Sequence, residues 1–173
     1  MDFPIKISDQ KYLRVDFTDS IHQKIIDSEL LEKKEYRYSD LPYYIVKELI
    51  ETHYDLPLDT LIQQRFYKSI GANFSTYNPL DFFDKSHITA TEVDDFFRFE
   101  MVHGFVHAVG AAMQNGVGGH AGLFSNTNDI AKLMQMFLQN GAYGGERFLK
   151  SQTIDAFNPV SYTHLTLPTN REV

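Results

Sequence analysis

The stretch Gly116-Val117-Gly118-Gly119-His120-Ala121-Gly122-Leu123-Phe124-Ser125-Asn126-Thr127-Asn128-Asp129-Ile130-Ala131-Lys132-Leu133-Met134-Gln135-Met136-Phe137-Leu138 decides the reading of the fold. Gly116, Gly118, Gly119 and Gly122 make a loop whose backbone can take positive φ or approach another surface closely. Leu123 and Phe124 read as a short buried strand end. Asn126 is a good N-cap, and Asp129, three residues on, faces the free N–H groups of a first turn. Ile130, Leu133, Met134, Phe137 and Leu138 recur at helical spacing and predict a helix over 127–139 packed through Leu133, Met134 and Phe137. Gly141 stands where a helix C-terminus favours one. Glycine loop, strand and capped helix in this order form one wall of a cleft.

Working outward, the 173 residues suffice for one ordinary domain with a core. Apolar residues make up 43% and charged ones 23%, a soluble globular composition. A net charge of −7 with no basic run argues against a nucleic-acid surface. Without cysteine, disulfide and thiolate chemistry are excluded. No apolar run approaches membrane-span length. The start, Met-Asp-Phe-Pro, has no signal-peptide pattern, so either the protein is cytosolic or its natural N-terminus lies elsewhere.

Residues 3–17 alternate loosely and read as an extended lead-in. Asp19 or Ser20 can cap a helix carrying Ile21, Ile25, Ile26, Leu30 and Leu31 and ending at Lys33-Lys34. Asp40 is placed as the next N-cap, with Pro42 in the first turn, ahead of a helix through Tyr44, Ile45, Leu49 and Ile50. A third helix runs from Asp59 to Lys68 and stops before Gly71. Residues 72–100 lack periodicity and read as a long aromatic surface excursion, with Asp81, Asp84, Asp94 and Asp95 as a solvated face. Met101 to Val109 fits strand or helix, and Ser151 caps a short final helix.

Val160 to Thr169 resembles the conceptual translation of a transposon-end sequencing adaptor read in one frame. On that reading residues 1–159 are a partial domain and residues 160–173 a non-native tail, to be excluded from fold reasoning.

Tyr38-Ser39-Asp40 before a helix, then Gly-Gly-His-Ala-Gly-Leu-Phe-Ser before the Asp-Ile-Ala-Lys helix, resembles the serine β-lactamase-related family of class C β-lactamases, penicillin-binding peptidases and esterase relatives. The run Tyr-Arg-Tyr-Ser-Asp-Leu, Phe66-Tyr67-Lys68, Thr91-Glu92, Val106-His107 and Tyr143-Gly144-Gly145 is most similar to the β-lactamase-like domain fused to family 3 β-N-acetylglucosaminidases. The resemblance spans residues 14–158. It implies an α+β fragment of the serine β-lactamase-like fold: the helical subdomain plus part of the antiparallel-sheet subdomain. It also implies acyl transfer to serine followed by hydrolysis, without a cofactor. The substrate would be an ester, a β-lactam or a peptidoglycan-type amide, and the parent protein would sit in the cell envelope or periplasm.

In that family a Ser-x-x-Lys supplies nucleophile and activating lysine, a Tyr-x-Asn the proton-shuttling phenol, and a later Lys-Thr-Gly or His-x-Gly the substrate edge. Tyr38 matches the phenol and Asp40 takes the Asn position; an ionised carboxylate accepts hydrogen bonds but donates none. Gly119, His120 and Ala121 are the candidate substrate edge. Further departures are Ser69 and Ala90 for prolines, Ala108 for an Asp and Asn115 for a Gly. Ser8-Asp9-Gln10-Lys11 spells Ser-x-x-Lys but lies too near Tyr38 in sequence to be the nucleophile motif. The missing motifs imply that this piece is inactive, and that its partners are the N- and C-terminal parts of the same domain.

Two readings stand beside this one. The same fold could serve as a non-catalytic binding or regulatory domain of an envelope glycosidase. His103 and His107, with Glu92 upstream, have the residue types of a zinc hydrolase. Val102, Gly104 and Val106 favour a strand there, however, which would hold the two histidines about 13 Å apart. No metal is assigned. Tyr38 can equally be a hydrogen-bonded tyrosine ahead of a helix, Asp40 a cap as well as a site residue, and His120 a structural histidine.

Overall fold

A buried serine closes the first element. Strands β1 (Ile5–Lys6) and β2 (Tyr12–Leu13) pair antiparallel, Ile5 opposite Leu13. In the turn between them, fully buried Ser8 accepts the Lys11 N–H at 3.1 Å. The Ser-x-x-Lys spelling is thus a turn. This computed structural model describes residues 4–30, 32 and 37–157. The tail reading of 160–173, and Leu31 and Lys33-Lys34 of the first expected helix, lie outside those residues.

Helix α1 (Phe17–Ile26) starts two residues before the expected cap and ends at Asp27, leaving Leu30 93% exposed. Helix α2 (Leu41–Tyr54) carries Pro42 in its first turn, as the sequence predicts. Its cap differs from expectation. Asp40 contributes no side-chain hydrogen bond; instead the Ser39 hydroxyl accepts the Leu41 N–H at 3.2 Å. Pro42 has no N–H to give the Asp40 carboxylate, and the Tyr43 N–H bonds the Asp40 backbone carbonyl at 3.0 Å. Neither α1 nor α2 buries a residue, and Ile45, Val46 and Leu49 of α2 are exposed. An apolar stripe shows what a helix must cover; it does not supply the cover.

Helix α3 (Leu58–Ile62) continues as a π-turn over Gln63–Tyr67 and stops before Gly71. Residues 72–100 are more ordered than their lack of periodicity predicts. Two 3₁₀ turns, Pro79–Asp81 and Lys85–His87, lead into β3 (Ala90–Asp94), which pairs antiparallel with β4 (Glu100–His103). Asp94 does not belong to a solvated face: its carboxylate is buried against Arg98. Helix α4 (Val109–Ala112) follows, then the glycine loop. Leu123 is 38% exposed, and Phe124 forms a single antiparallel bridge to Thr76 in place of a buried strand end.

Helix α5 (Thr127–Leu138) is capped as predicted, with Asn126 Oδ1 accepting the Asp129 N–H at 2.9 Å. Its packing face is rotated from the expected stripe. Met136 and Asp129 are buried and Leu133 packs on the core, while Met134, Phe137 and Leu138 are exposed. Strands β5 (Ala142–Tyr143) and β6 (Glu146–Arg147) form a hairpin across Gly144-Gly145, and α6 (Ser151–Phe157) ends the described chain.

Two core clusters hold these elements. One joins Ile7, Val106, Ala111 and Ala112 with Phe97 and Ala121; the other joins Tyr67, Ile70 and Ala72 with Leu133 and Phe148. The first lies directly beneath the glycine loop.

Candidate functional site

Tyr38 and Asp40 precede the first turn of α2, and that helix start is where the glycine loop lands. Gly119 is indispensable to the landing: a Cβ there would lie 2.4 Å from the Tyr43 carbonyl oxygen and 3.3 Å from the Lys47 Cβ. Next to it the His120 ring stacks on Tyr44, centroids 5.0 Å apart and planes 15° from parallel. Asp40 lies one helical turn before Tyr44, on the same side of α2. Burial raises the Tyr44 phenol above its ordinary value, and the Asp40 charge pushes the same way; a hydrogen bond with the Gln114 side chain opposes both.

The structure therefore gathers Asp40, Tyr44, Gly119 and His120 around one point. Ala121 sits half-buried on the first core cluster and accepts the Gly118 N–H at 3.0 Å, which tightens the loop. Tyr38 stands apart, its side chain 78% exposed at the entry to the helix. His120 Nδ1 is buried and has no hydrogen-bond partner among the described residues. A polar atom in that state costs about 1–3 kcal/mol.

Beside this point a groove of about 470 Å³ runs between α1 and α2, lined in part by Asp19, His22, Tyr44, Lys47, Glu48 and Gln114. Burial lowers the Lys47 amine below its ordinary value, with Glu51, 3.9 Å away, partly offsetting the loss of water. Sequence reasoning missed Tyr44 and Lys47. The available signal was spacing, since Asp40, Tyr44 and Lys47 fall at i, i+4 and i+7 of one helix face.

The histidines of the zinc reading have separate partners. His103 Nε2–H donates to the Ile88 carbonyl at 2.5 Å, and His107 Nδ1 lies 2.7 Å from Glu92 Oε2. Among the described residues, no group of three or more His, Asp or Glu side chains is placed to hold a metal ion. Among them, too, no helix is long and apolar enough to cross a membrane.

No protein-family model matches the chain. A provisionally named D-alanyl-D-alanine carboxypeptidase of Escherichia coli K12 is 35% identical over 136 residues, covering 72% of this chain. The chain spans 31% of that relative's length. Among solved structures, the D-amino acid amidase from Ochrobactrum anthropi SV3 superposes with a TM-score of 0.56 at 12% identity, over 87% of this chain and 40% of the amidase. The octameric penicillin-binding protein homologue from Pyrococcus abyssi gives 0.55 at 15% identity, over 84% and 31%. The fold is α+β, a part of the serine β-lactamase and penicillin-binding-protein fold. Relatives and neighbours together support the serine β-lactamase and penicillin-binding-protein-like family.

Proposed function

We propose that this chain carries one wall of a serine acyl hydrolase of the β-lactamase and penicillin-binding type, acting on a D-alanyl peptide or related peptidoglycan-type amide or ester in the cell envelope. Tyr38 is the proton-shuttling phenol, Asp40 its neighbour, and Gly119, His120 and Ala121 the substrate edge. The observation that carries the reading is the meeting of the Asp40 helix start and the His120 loop on Tyr44. The unpartnered His120 Nδ1 supports it, because a substrate or an adjoining part of the fold would supply the absent hydrogen bond. The parts of the domain that carry nucleophile and oxyanion edge are its partners, and they would cover the exposed stripe of α2. In this reading residues 1–159 are domain and residues 160–173 a foreign tail, and the parent resembles the domain fused to family 3 glycosidases.

Asp40 favours a second reading, a binding or regulatory domain of the same fold. A carboxylate beside the site cannot donate to a substrate carbonyl as an amide does.

The test is the complete gene product, recovered from the genomic locus and treated with a serine-reactive fluorophosphonate and a chromogenic β-lactam. The hydrolase reading expects labelling at one serine, falling about 10²–10⁴-fold in Tyr38→Phe, the range for loss of a proton-transfer group. Full-length protein that binds substrate without labelling supports the regulatory reading. The present chain alone is expected to turn over neither reagent, because nucleophilic catalysis needs an activated oxygen beside its base.

A further inference from the structure

We propose that Arg98 is the positioning residue of this site, fixing α4 at the height where Tyr44 and His120 stack. The proposal rests on the reading of that stack as the substrate edge.

The Arg98 side chain is fully buried, and its donors are shared among four acceptors. Nε donates to Asp94 Oδ2 at 2.6 Å, Nη1 to the Val106 carbonyl at 2.7 Å, and Nη2 to both Glu92 Oε1 and the His107 carbonyl at 2.7 Å. Asp94 is itself fixed by the Phe96 and Phe97 N–H groups, and the second Glu92 oxygen takes His107 Nδ1. A guanidinium presents its N–H groups in one rigid plane, so the two carbonyls cannot shift independently of the carboxylates.

Those carbonyls belong to the residues directly before Ala108, which opens α4. A four-residue helix has too few internal hydrogen bonds to hold its own place. On its inner side Ala111 and Ala112 pack on Val106 and Ile7. On its outer side Gly110 meets the site: a Cβ there would lie 1.9 Å from the Tyr44 hydroxyl and 3.5 Å from His120 Nε2. A small displacement of α4 is therefore passed to Tyr44, and through ring stacking to His120. Arg98 touches neither. It acts through two peptide groups and one helix turn.

The purified chain, isotope-labelled at His and Tyr, tests this by NMR. Arg98→Lys keeps the charge but loses the planar fork. It is expected to move the His120 ring signals while those of His53 stay fixed, and to bring the Tyr44 phenol titration down toward its ordinary value as burial relaxes. Folded Arg98→Lys protein with His120 and Tyr44 unchanged overturns the proposal, leaving Arg98 a tie for the β3–β4 hairpin only. Should that variant fail to fold, Glu92→Gln decides. It keeps an acceptor for Nη2, and the His107 signal reports that the hub was disturbed. A smaller displacement of His120 and Tyr44 in Glu92→Gln supports the proposal, and an undisturbed pair overturns it. Neither outcome depends on turnover, so failure here and failure of the hydrolase reading are separable.

Discussion

Asp129 and Phe74 meet across 55 residues of sequence: the carboxylate in the first turn of α5 accepts the Phe74 backbone N–H at 2.7 Å. The same carboxylate, 1% exposed, takes Lys132 Nζ at 3.1 Å and lies 3.4 Å from the Ser75 hydroxyl. Asp129→Ala strips the acceptor from a backbone amide and an ammonium together. The expected loss is about 3 kcal/mol in urea unfolding, with Asp129→Asn recovering part of it. A loss within the scatter of ordinary surface substitutions would show that this tie holds nothing.

Helix α5 gives a paired test of which face is core. Met136 is fully buried, whereas Phe137 is 40% exposed beside Met134, Leu149 and Ile154 in an open apolar groove. Met136→Ala is expected to cost about 2–5 kcal/mol. Phe137→Ala should cost about 1 kcal/mol or less, because much of its area is already in water. Equal losses would return the packing face to the stripe that periodicity predicts.

Acid stability should report Asp94. Two backbone N–H groups, Phe97 foremost, and the Arg98 guanidinium hold its carboxyl well below the ordinary carboxylate value of 3.8. A carboxyl depressed in the folded state adds stability that is complete above the unfolded value and is lost as pH falls below it. Urea midpoints should therefore drop on acidification below 3.8, and fall less steeply in Asp94→Asn. The same acid slope in both proteins would assign it to other carboxylates.

The alkaline limb belongs to Tyr67. Burial pushes its phenol up to about 12 from 10.0, with Tyr77 adding to the rise. Raised in the folded state, the group contributes stability that is whole below 10 and disappears as pH climbs toward 12. Tyr67→Phe should flatten this part of the profile, with tyrosinate absorbance showing one late-ionising phenol removed. An unchanged profile would place the alkaline weakness at Tyr44 or Tyr77, both also raised by burial.

Much of the local architecture was legible without coordinates. The Asn126 cap, Pro42 in the first turn of α2 and the stop at Gly141 each depend on a few neighbouring residues, and each stands where the chemistry of those residues puts it. The helix start at Asp40 and the glycine loop at 116–122 were likewise readable as pieces. Their meeting on Tyr44 was not, because 75 residues of sequence separate Tyr44 from Gly119 and no periodicity spans that distance.

What the sequence by itself determined is local: the Asn126 cap, Pro42 in a first turn, and which residue types could do chemistry. Tertiary structure decided which of them are inside. Asp94 and Asp95 are identical in local preference, yet one is buried and the other exposed, because only Asp94 points at Arg98. Asp40 makes no capping bond because Pro42 offers no N–H and the Tyr43 N–H already bonds the Asp40 carbonyl, while Ser39 takes the Leu41 amide. On α5, Leu133 packs on Tyr67, Ile70 and Ala72 and Met136 is fully buried, while Phe137 is left 40% exposed. Burial is a property of pairs of surfaces, and a single helix face carries only half of that information.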